Sequence, residues 1–296
     1  MRIPRSASRR ESTTLATSHP AGADEAVPCR IARPPVSERT VARVRRRTLT
    51  RAAGAGTPGR NLPADRRGEQ EGDRVSGEMR VVEDVAAAFT GMVRTARPRS
   101  FAISGGSTAH ACYEHLARFQ DLDWAQMNVL VGDERWVPVQ DPDSNEGMAR
   151  AALFDRVGTT RIHSARAAGR TVQEAAAAYN KVVERFRAID VIHLGLGEDG
   201  HTASLFPSAP ALNETERLVV AAADPNHPHP RLTFTYPALA RGRLVIFTVD
   251  GASKREAFAR VRRGEDVPAS RVRAARIVWL VSPDAVTGPT TRALHP

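Results

Sequence analysis

Three clusters of small, polar and charged residues interrupt an otherwise apolar pattern: Ser104-Gly-Gly-Ser-Thr108, Gly132-Asp-Glu-Arg135 and Gly195-Leu-Gly-Glu-Asp-Gly-His201. In the first, Gly105 and Gly106 let the backbone turn tightly and approach a ligand. A helix starting there offers free N–H groups to an anion, and Ser107 and Thr108 add hydroxyl donors. A phosphate is the natural guest, although an ordinary strand-to-helix turn with a hydroxyl cap has the same residues. The second cluster sets two acids and a cation at a strand end. Side chains alternate on an extended backbone, so one of Asp133 and Glu134 can point into a site while the other pairs with a neighbour, with Arg135 beside them. Alone, this cluster reads as surface charge. The third ends in His201, whose ordinary pKa of about 6.5 suits a general base at neutral pH. Asp199 lies two residues away.

Two further cations have positions that suggest a ligand. Arg231 opens the strand Arg231-Leu-Thr-Phe-Thr235, and Lys254 opens a helix. A lysine at a helix start runs against the dipole preference. Only Lys181 and Lys254 are lysines among 43 basic residues, so chance drift explains Lys254 poorly. A solvated surface charge is the plain alternative for both.

Other chemistries have weaker support. Gly195 to Gly200 matches the G-x-G-x-x-G dinucleotide pattern, and Asp224 follows where a ribose-binding acid might stand. Pro207 and Pro210, however, spoil the long helix that such a site needs. His227 and His229 flank Pro228, but this spacing is generic and no third metal ligand is evident. Two cysteines, Cys29 and Cys112, cannot build a disulfide framework or a four-thiolate zinc site. The expectation is neither a metal nor a cofactor.

The elements that must position these clusters alternate between strand and helix. Apolar residues from Val82 to Val93 recur at helical spacing, and Ala109, Cys112, Tyr113 and Leu116 share one helical face. Ser144 and Asn145 suit a helix N-cap, and Thr171 with Glu174 forms a capping box. Lys254 to Val261 reads as a helix. Strands are expected at 101–103, 127–131, 189–194, 218–222, 232–235, 244–249 and 277–281. Several are apolar without alternation, which predicts an α/β fold: a modified doubly wound, mainly parallel sheet with helices on both faces. Ligands then bind beyond the carboxyl ends of the strands, where all three clusters fall.

Composition divides the chain of 296 residues at Met79. Residues 1–78 hold 16 arginines, nine acids, seven prolines and seven glycines, but none of the 15 aromatic residues. Too little apolar surface is available there to offset the entropy of ordering, so an extension that is disordered is expected. Its acids argue against an organellar leader, and it lacks the apolar core of a secretory signal. No interleaved aromatics support a nucleic-acid-binding arm. The net charge of +10 resides mainly in this segment. No stretch reaches the ~18 apolar residues of a membrane helix. A reducing cytoplasm is the expected compartment, with no nucleic-acid or membrane partner. Monomer and small homo-oligomer both remain open.

Taken in order, the residues resemble the glucosamine-6-phosphate isomerase/6-phosphogluconolactonase family. The resemblance is carried by Ser104-Gly-Gly-Ser-Thr108, Asp133-Glu-Arg135 with Val137-Pro138, and Asp143-Ser-Asn145. It continues through the block from Gly195 to Pro207, then Arg231-Leu-Thr233, Gly251-Ala-Ser-Lys254 and Val267-Pro-Ala-Ser270. It covers 79–296, and residues 195–207 are its most specific part. The resemblance implies a fold like glucosamine-6-phosphate deaminase and hydrolysis of 6-phospho-D-glucono-1,5-lactone to 6-phosphogluconate, a step of the pentose phosphate pathway. It implies that His201 deprotonates water and that Asp199 or Asp133 orients the imidazole. Arg135 or backbone N–H groups would stabilise the oxyanion. Gly105, Gly106, Ser107, Thr108, Arg231 and Lys254 would hold the 6-phosphate.

The sister deaminases carry a catalytic Glu five residues after the histidine, where this chain has Phe206. The lactonase side of the family is therefore expected over a deaminase-like isomerase. A non-catalytic sugar-phosphate-binding regulator would normally carry a DNA-binding helix pair, and 1–78 has no such pattern. Ala109 and Glu198 stand where the family commonly has proline. Glu198 would raise the His201 pKa slightly if it pointed inward.

Overall fold

A computed structural model describes residues 75–159, 161–223 and 228–287. The expected extension at 1–78 therefore lies, for 1–74, outside the described residues, as do Cys29, Asp224 and His227. The chain joins the fold ahead of Met79. Strand β1 (Glu78–Val81) pairs with the strand 277–281, and the Ser76 carbonyl accepts the Trp279 indole N–H at 3.1 Å. The helical pattern read from Val82 begins later, because Asp84 caps helix α1 (Val85–Ala96) by accepting the Ala87 N–H at 2.8 Å.

The elements then run β2 (Ser100–Ile103), α2 (Ser107–Leu116), β3 (Asn128–Val131), β4 (Asp133–Arg135) and α3 (Asn145–Ala149). A π-helical turn, Arg150–Phe154, joins α3 to α4 (Asp155–Val157). Next come β5 (Ile162–His163), α5 (Val172–Val183), β6 (Ile189–Gly195), β7 (Val219–Ala222) and β8 (Arg231–Phe234). The described chain ends with α6 (Tyr236–Leu239), β9 (Gly242–Val249), α7 (Arg255–Arg262), β10 (Ile277–Val281) and α8 (Pro283–Val286).

Seven strands form one sheet in the order β1-β10-β9-β6-β2-β3-β5, and every pairing is parallel. All residues of β2 and β10 are buried, so both faces of the sheet are covered. Trp279 on β10 stacks on Phe247 of β9 at 3.8 Å and 5°. Such a pair contributes about 0.5–1.5 kcal/mol beyond its buried area.

The chain leaves β2 toward β3 and β5, then returns beside β2 as β6 and continues toward β9 and β10. The loops after β2 and β6 therefore diverge in opposite directions. That switch point opens a crevice at the carboxyl edge of the sheet.

Strands β1, β4 and β5 are not among those expected, and the fold departs from the expectation in a larger respect. β7 and β8 do not join the parallel sheet. They form a separate antiparallel sheet in the order β4-β8-β7. The chain leaves β3 at Gly132, where a Cβ would come within 2.8 Å of the Ile103 carbonyl oxygen. The charged residues 133–135 then form β4 in the second sheet, opposite Thr233, Leu232 and Arg231.

Candidate active site

A cleft of about 180 Å³ lies at this switch point. Its walls come from the ends of β2 (Ser104, Gly105, Gly106), β6 (Gly195, Gly197, His201) and β4 (Asp133, Arg135), together with Arg231 and Lys254. The three clusters and both isolated cations thus meet on one surface.

His201 is held by its own loop. Its Nδ1 lies 2.6 Å from Asp199 Oδ1, and the same oxygen accepts the His201 backbone N–H at 3.0 Å. Burial would raise the Asp199 pKa, but hydrogen bonds from the His201 ring and backbone outweigh it and hold the carboxyl at about 2. A charged Asp199 fixes the proton on Nδ1 and leaves the lone pair on Nε2. Gly197 makes this ring position possible, because a Cβ there would lie 2.0 Å from Nδ1. Gly200 adopts φ +90°, a turn that favours glycine. Glu198 does not point inward. Its side chain is 67% exposed and its Oε1 lies 3.9 Å from Lys254 Nζ.

The paired acids 133 and 134 divide as the period of a strand requires. Asp133 lines the cleft and accepts the Ser204 hydroxyl at 2.8 Å, which ties β4 to the His201 loop. Glu134 is fully buried on the other side. It accepts backbone N–H groups of Arg135, Asn145 and Glu146 and the Ser144 hydroxyl. Burial raises its pKa, and these four donors work against that rise. Glu134 thus fastens the start of α3 to β4.

That fastening aims Arg135. Its NH1 donates to the Asp143 carbonyl and to Asn145 Oδ1, both at 2.8 Å. Asn145 in turn donates to the Asp133 carbonyl at 2.8 Å. Gly105 admits Asn145, since a Cβ there would meet Asn145 Oδ1 at 1.8 Å. Arg135 Nε is buried without a hydrogen-bond partner among the described residues. Arg135 and Arg231 stand directly opposite each other across β4 and β8. Like charges so placed repel, and a bound anion would relieve them.

Ser107 and Thr108 open α2 with an exposed and a half-buried side chain, and neither lines the cleft. From that turn, Ser104 and the backbone of Gly105 and Gly106 face it. Lys254 ends the 3₁₀ turn Ala252–Lys254 and caps α7 rather than beginning it. Phe206 is buried against the His201 ring at 4.8 Å, and the Arg231 guanidinium lies over the Phe206 ring, 5.5 Å from its centre.

The rival readings fare as follows. The glycine pattern 195–200 leads into an isolated bridge at Thr202 and Leu205 and a short 3₁₀ turn, Pro210–Asn213, rather than a long helix. His229 pairs with Asp143 at 2.9 Å. Among the described residues no group of three or more His, Cys, Asp and Glu could hold a metal ion. None of their helices is long and apolar enough to cross a membrane.

Sequence reasoning assigned no role to Ser204 and saw Asn145 as a helix cap and part of a family motif, without a task. An N-cap asparagine and an arginine-aiming one have the same local sequence, so only the β4–α3 geometry separates them.

Comparison with known proteins agrees with this architecture. Residues 73–279 match the family of glucosamine-6-phosphate isomerases/6-phosphogluconolactonase. A 6-phosphogluconolactonase of Synechocystis sp. is 40% identical over 201 residues, covering 63% of this chain and 82% of that protein. One from Nostoc sp. is 44% identical over 173 residues, covering 55% and 70%. The crystal structure of 6-phosphogluconolactonase from Thermotoga maritima superposes with a TM-score of 0.64 at 26% identity, covering 70% of this chain and all of that one. A monomeric glucosamine-6-phosphate deaminase, 18% identical with a TM-score of 0.61, shares the fold. From its cleft to its relatives, this chain belongs to the glucosamine-6-phosphate isomerase/6-phosphogluconolactonase family.

Proposed function

We propose that the chain hydrolyses 6-phospho-D-glucono-1,5-lactone to 6-phosphogluconate, the lactonase step of the pentose phosphate pathway. The observation that carries this reading is the meeting of the His201–Asp199 pair with Arg135, Arg231 and Lys254 in one cleft. The catalytic unit starts at β1. Its partner is a small anionic sugar phosphate.

His201 Nε2 takes a proton from water as the water oxygen bonds to C1 of the lactone. Asp199 balances the imidazolium that forms. The carbonyl oxygen becomes an oxyanion, stabilised by Arg135 or by backbone N–H groups at the strand ends. The C1–O5 bond then breaks, and the proton on His201 passes to O5. Arg231, Lys254 and the 104–106 turn hold the 6-phosphate away from the reacting carbon. That remote binding orients the ring. Asp133 is left to accept a sugar hydroxyl or to support the imidazolium. Phe206 has no proton to exchange, which disfavours an amine-releasing, ring-opening reaction at the same cleft.

The reading is tested by comparing the phosphorylated lactone with glucono-1,5-lactone, each corrected for spontaneous hydrolysis. kcat/KM is expected to favour the phosphorylated substrate by at least ~100-fold, because charge-assisted contacts to the phosphate are worth about 1.5–3 kcal/mol each. Equal values would reject the phosphate subsite. Lys254→Ala is expected to weaken 6-phosphogluconate binding about tenfold. Unchanged affinity in a calorimetric titration would remove Lys254 from the subsite.

A general base must be unprotonated to act, so kcat is expected to fall in acid. Asp199, held at about 2, stays charged throughout. Its contribution to folding is complete above its ordinary value of 3.8 and fades as pH falls through about 2. An acid limb that disappears in Asp199→Asn but survives in His201 variants would contradict this assignment.

A further inference from the structure

Beneath the cleft lies a fully buried histidine that the proposed chemistry does not use. His193 sits on β6, two residues before Gly195. Its Nδ1 lies 2.9 Å from the Tyr113 hydroxyl and its Nε2 lies 2.9 Å from Thr248 Oγ1. The Tyr113 oxygen also accepts the buried Ser104 N–H at 2.8 Å. The rings are enclosed by Phe89, 4.3 Å from His193 and 6.2 Å from Tyr113.

The four members come from three roots of the cleft. Ser104 begins the turn after β2, and Tyr113 lies on the helix that follows it. His193 precedes the loop that carries His201. Thr248 precedes the β9 loop that leads to Lys254. We propose that Tyr113 and His193 are positioning residues: one hydrogen-bonded chain, Ser104–Tyr113–His193–Thr248, sets the 104–106 turn against the His201 and Lys254 loops and so fixes the grip on the substrate's phosphate. The inference deepens the lactonase reading and rests on it.

The chemistry gives the chain a direction. Burial holds His193 at about 3, so the ring is neutral at working pH and has one donor and one acceptor nitrogen. Burial also pushes the Tyr113 phenol well above its ordinary value, so it keeps its proton. Ser104 N–H donates to Tyr113. The Tyr113 O–H faces two acceptors, the Ser104 carbonyl at 3.3 Å and His193 Nδ1 at 2.9 Å. Donation along the shorter contact leaves Nε2–H to donate to Thr248. A phenol that donates to an imidazole becomes a better acceptor, which strengthens its hold on Ser104. Without the hydroxyl, the Ser104 N–H is a buried donor lacking its partner. The turn would shift to find another acceptor and carry the Gly105 and Gly106 N–H groups away from the phosphate.

Tyr113→Phe tests this. The dissociation constant for 6-phosphogluconate is expected to rise about tenfold, with kcat within about twofold of wild type. Thr248→Val, at the far end, is expected to raise it only about twofold, and His193→Gln to retain more affinity than His193→Leu. In wild-type protein, ¹⁵N spectra should show Nδ1 unprotonated and Nε2 protonated from about pH 5 to 8. Unchanged affinity in Tyr113→Phe with only a lower Tm would make the chain merely structural and overturn the proposal. A fall in kcat with affinity intact, or a proton on Nδ1, would overturn it too. Should Tyr113→Phe fail to fold, Thr248→Val and the wild-type spectra decide. Repeating the titrations with inorganic phosphate separates failure of the chain from failure of the lactonase reading, since phosphate binding does not depend on the lactone.

Discussion

His201→Ala is expected to lower kcat by about 10²–10⁴-fold, the usual range for loss of a general base, while leaving 6-phosphogluconate affinity nearly unchanged. The lactone carbonyl is already electrophilic, so the protein's main chemical task is to deprotonate the attacking water. Among the described residues lining the cleft, His201 is the histidine, and its ring has a charged partner behind it, Asp199 at 2.6 Å. The cations proposed to hold the phosphate lie on other segments, and truncating the ring leaves them in place. Burst-free steady-state kinetics and calorimetry on the same preparation separate the two effects. A kcat near wild type in this variant would reject His201 as the base.

Gly197→Ala is expected to cost about 10²-fold in kcat by displacing the base rather than deleting it, since misplacement by about 1 Å has that effect on a positioned group. The added methyl would lie 2.0 Å from Nδ1 and 2.3 Å from Cε1 of His201, so the ring must turn away and release Asp199. No charge changes, and the cations that hold the phosphate keep their places. The far-ultraviolet spectrum and the 6-phosphogluconate affinity should match wild type. Activity within about threefold of wild type would mean that the ring has room to move without losing its function. That would contradict the close packing of loop and base.

The parallel core was readable because β2, β6, β9 and β10 are apolar runs bounded by turns and helices, a pattern that only a sheet covered on both faces explains. β4 was not readable as a strand. Its three residues, Asp133, Glu134 and Arg135, are all charged, and its pairing with β8 reaches nearly a hundred residues along the chain. That the two neighbouring acids diverge was legible, because it follows from any extended backbone; that Asp133 is the one in the cleft was not. The four donors on Glu134 were not, since three of them belong to a turn and helix start that the sequence marks only as a cap. The Gly-rich turn was legible as a turn at a strand end that could face a ligand, but its hydroxyls looked as useful as its glycines. Helix α2 turns Ser107 and Thr108 off the cleft wall and leaves the glycine backbone on it. Lys254 stood out by its rarity, and Arg231 by its place at a strand start. That Arg231 faces Arg135 across two strands depends on a register no local pattern encodes.

The most direct test is an assay of the purified chain on freshly generated 6-phospho-D-glucono-1,5-lactone, beside a measurement of ammonia release from glucosamine 6-phosphate. The account predicts lactone hydrolysis well above the spontaneous rate, abolished by His201→Ala, and no ammonia. Ammonia release with lactone decay at the spontaneous rate would contradict it.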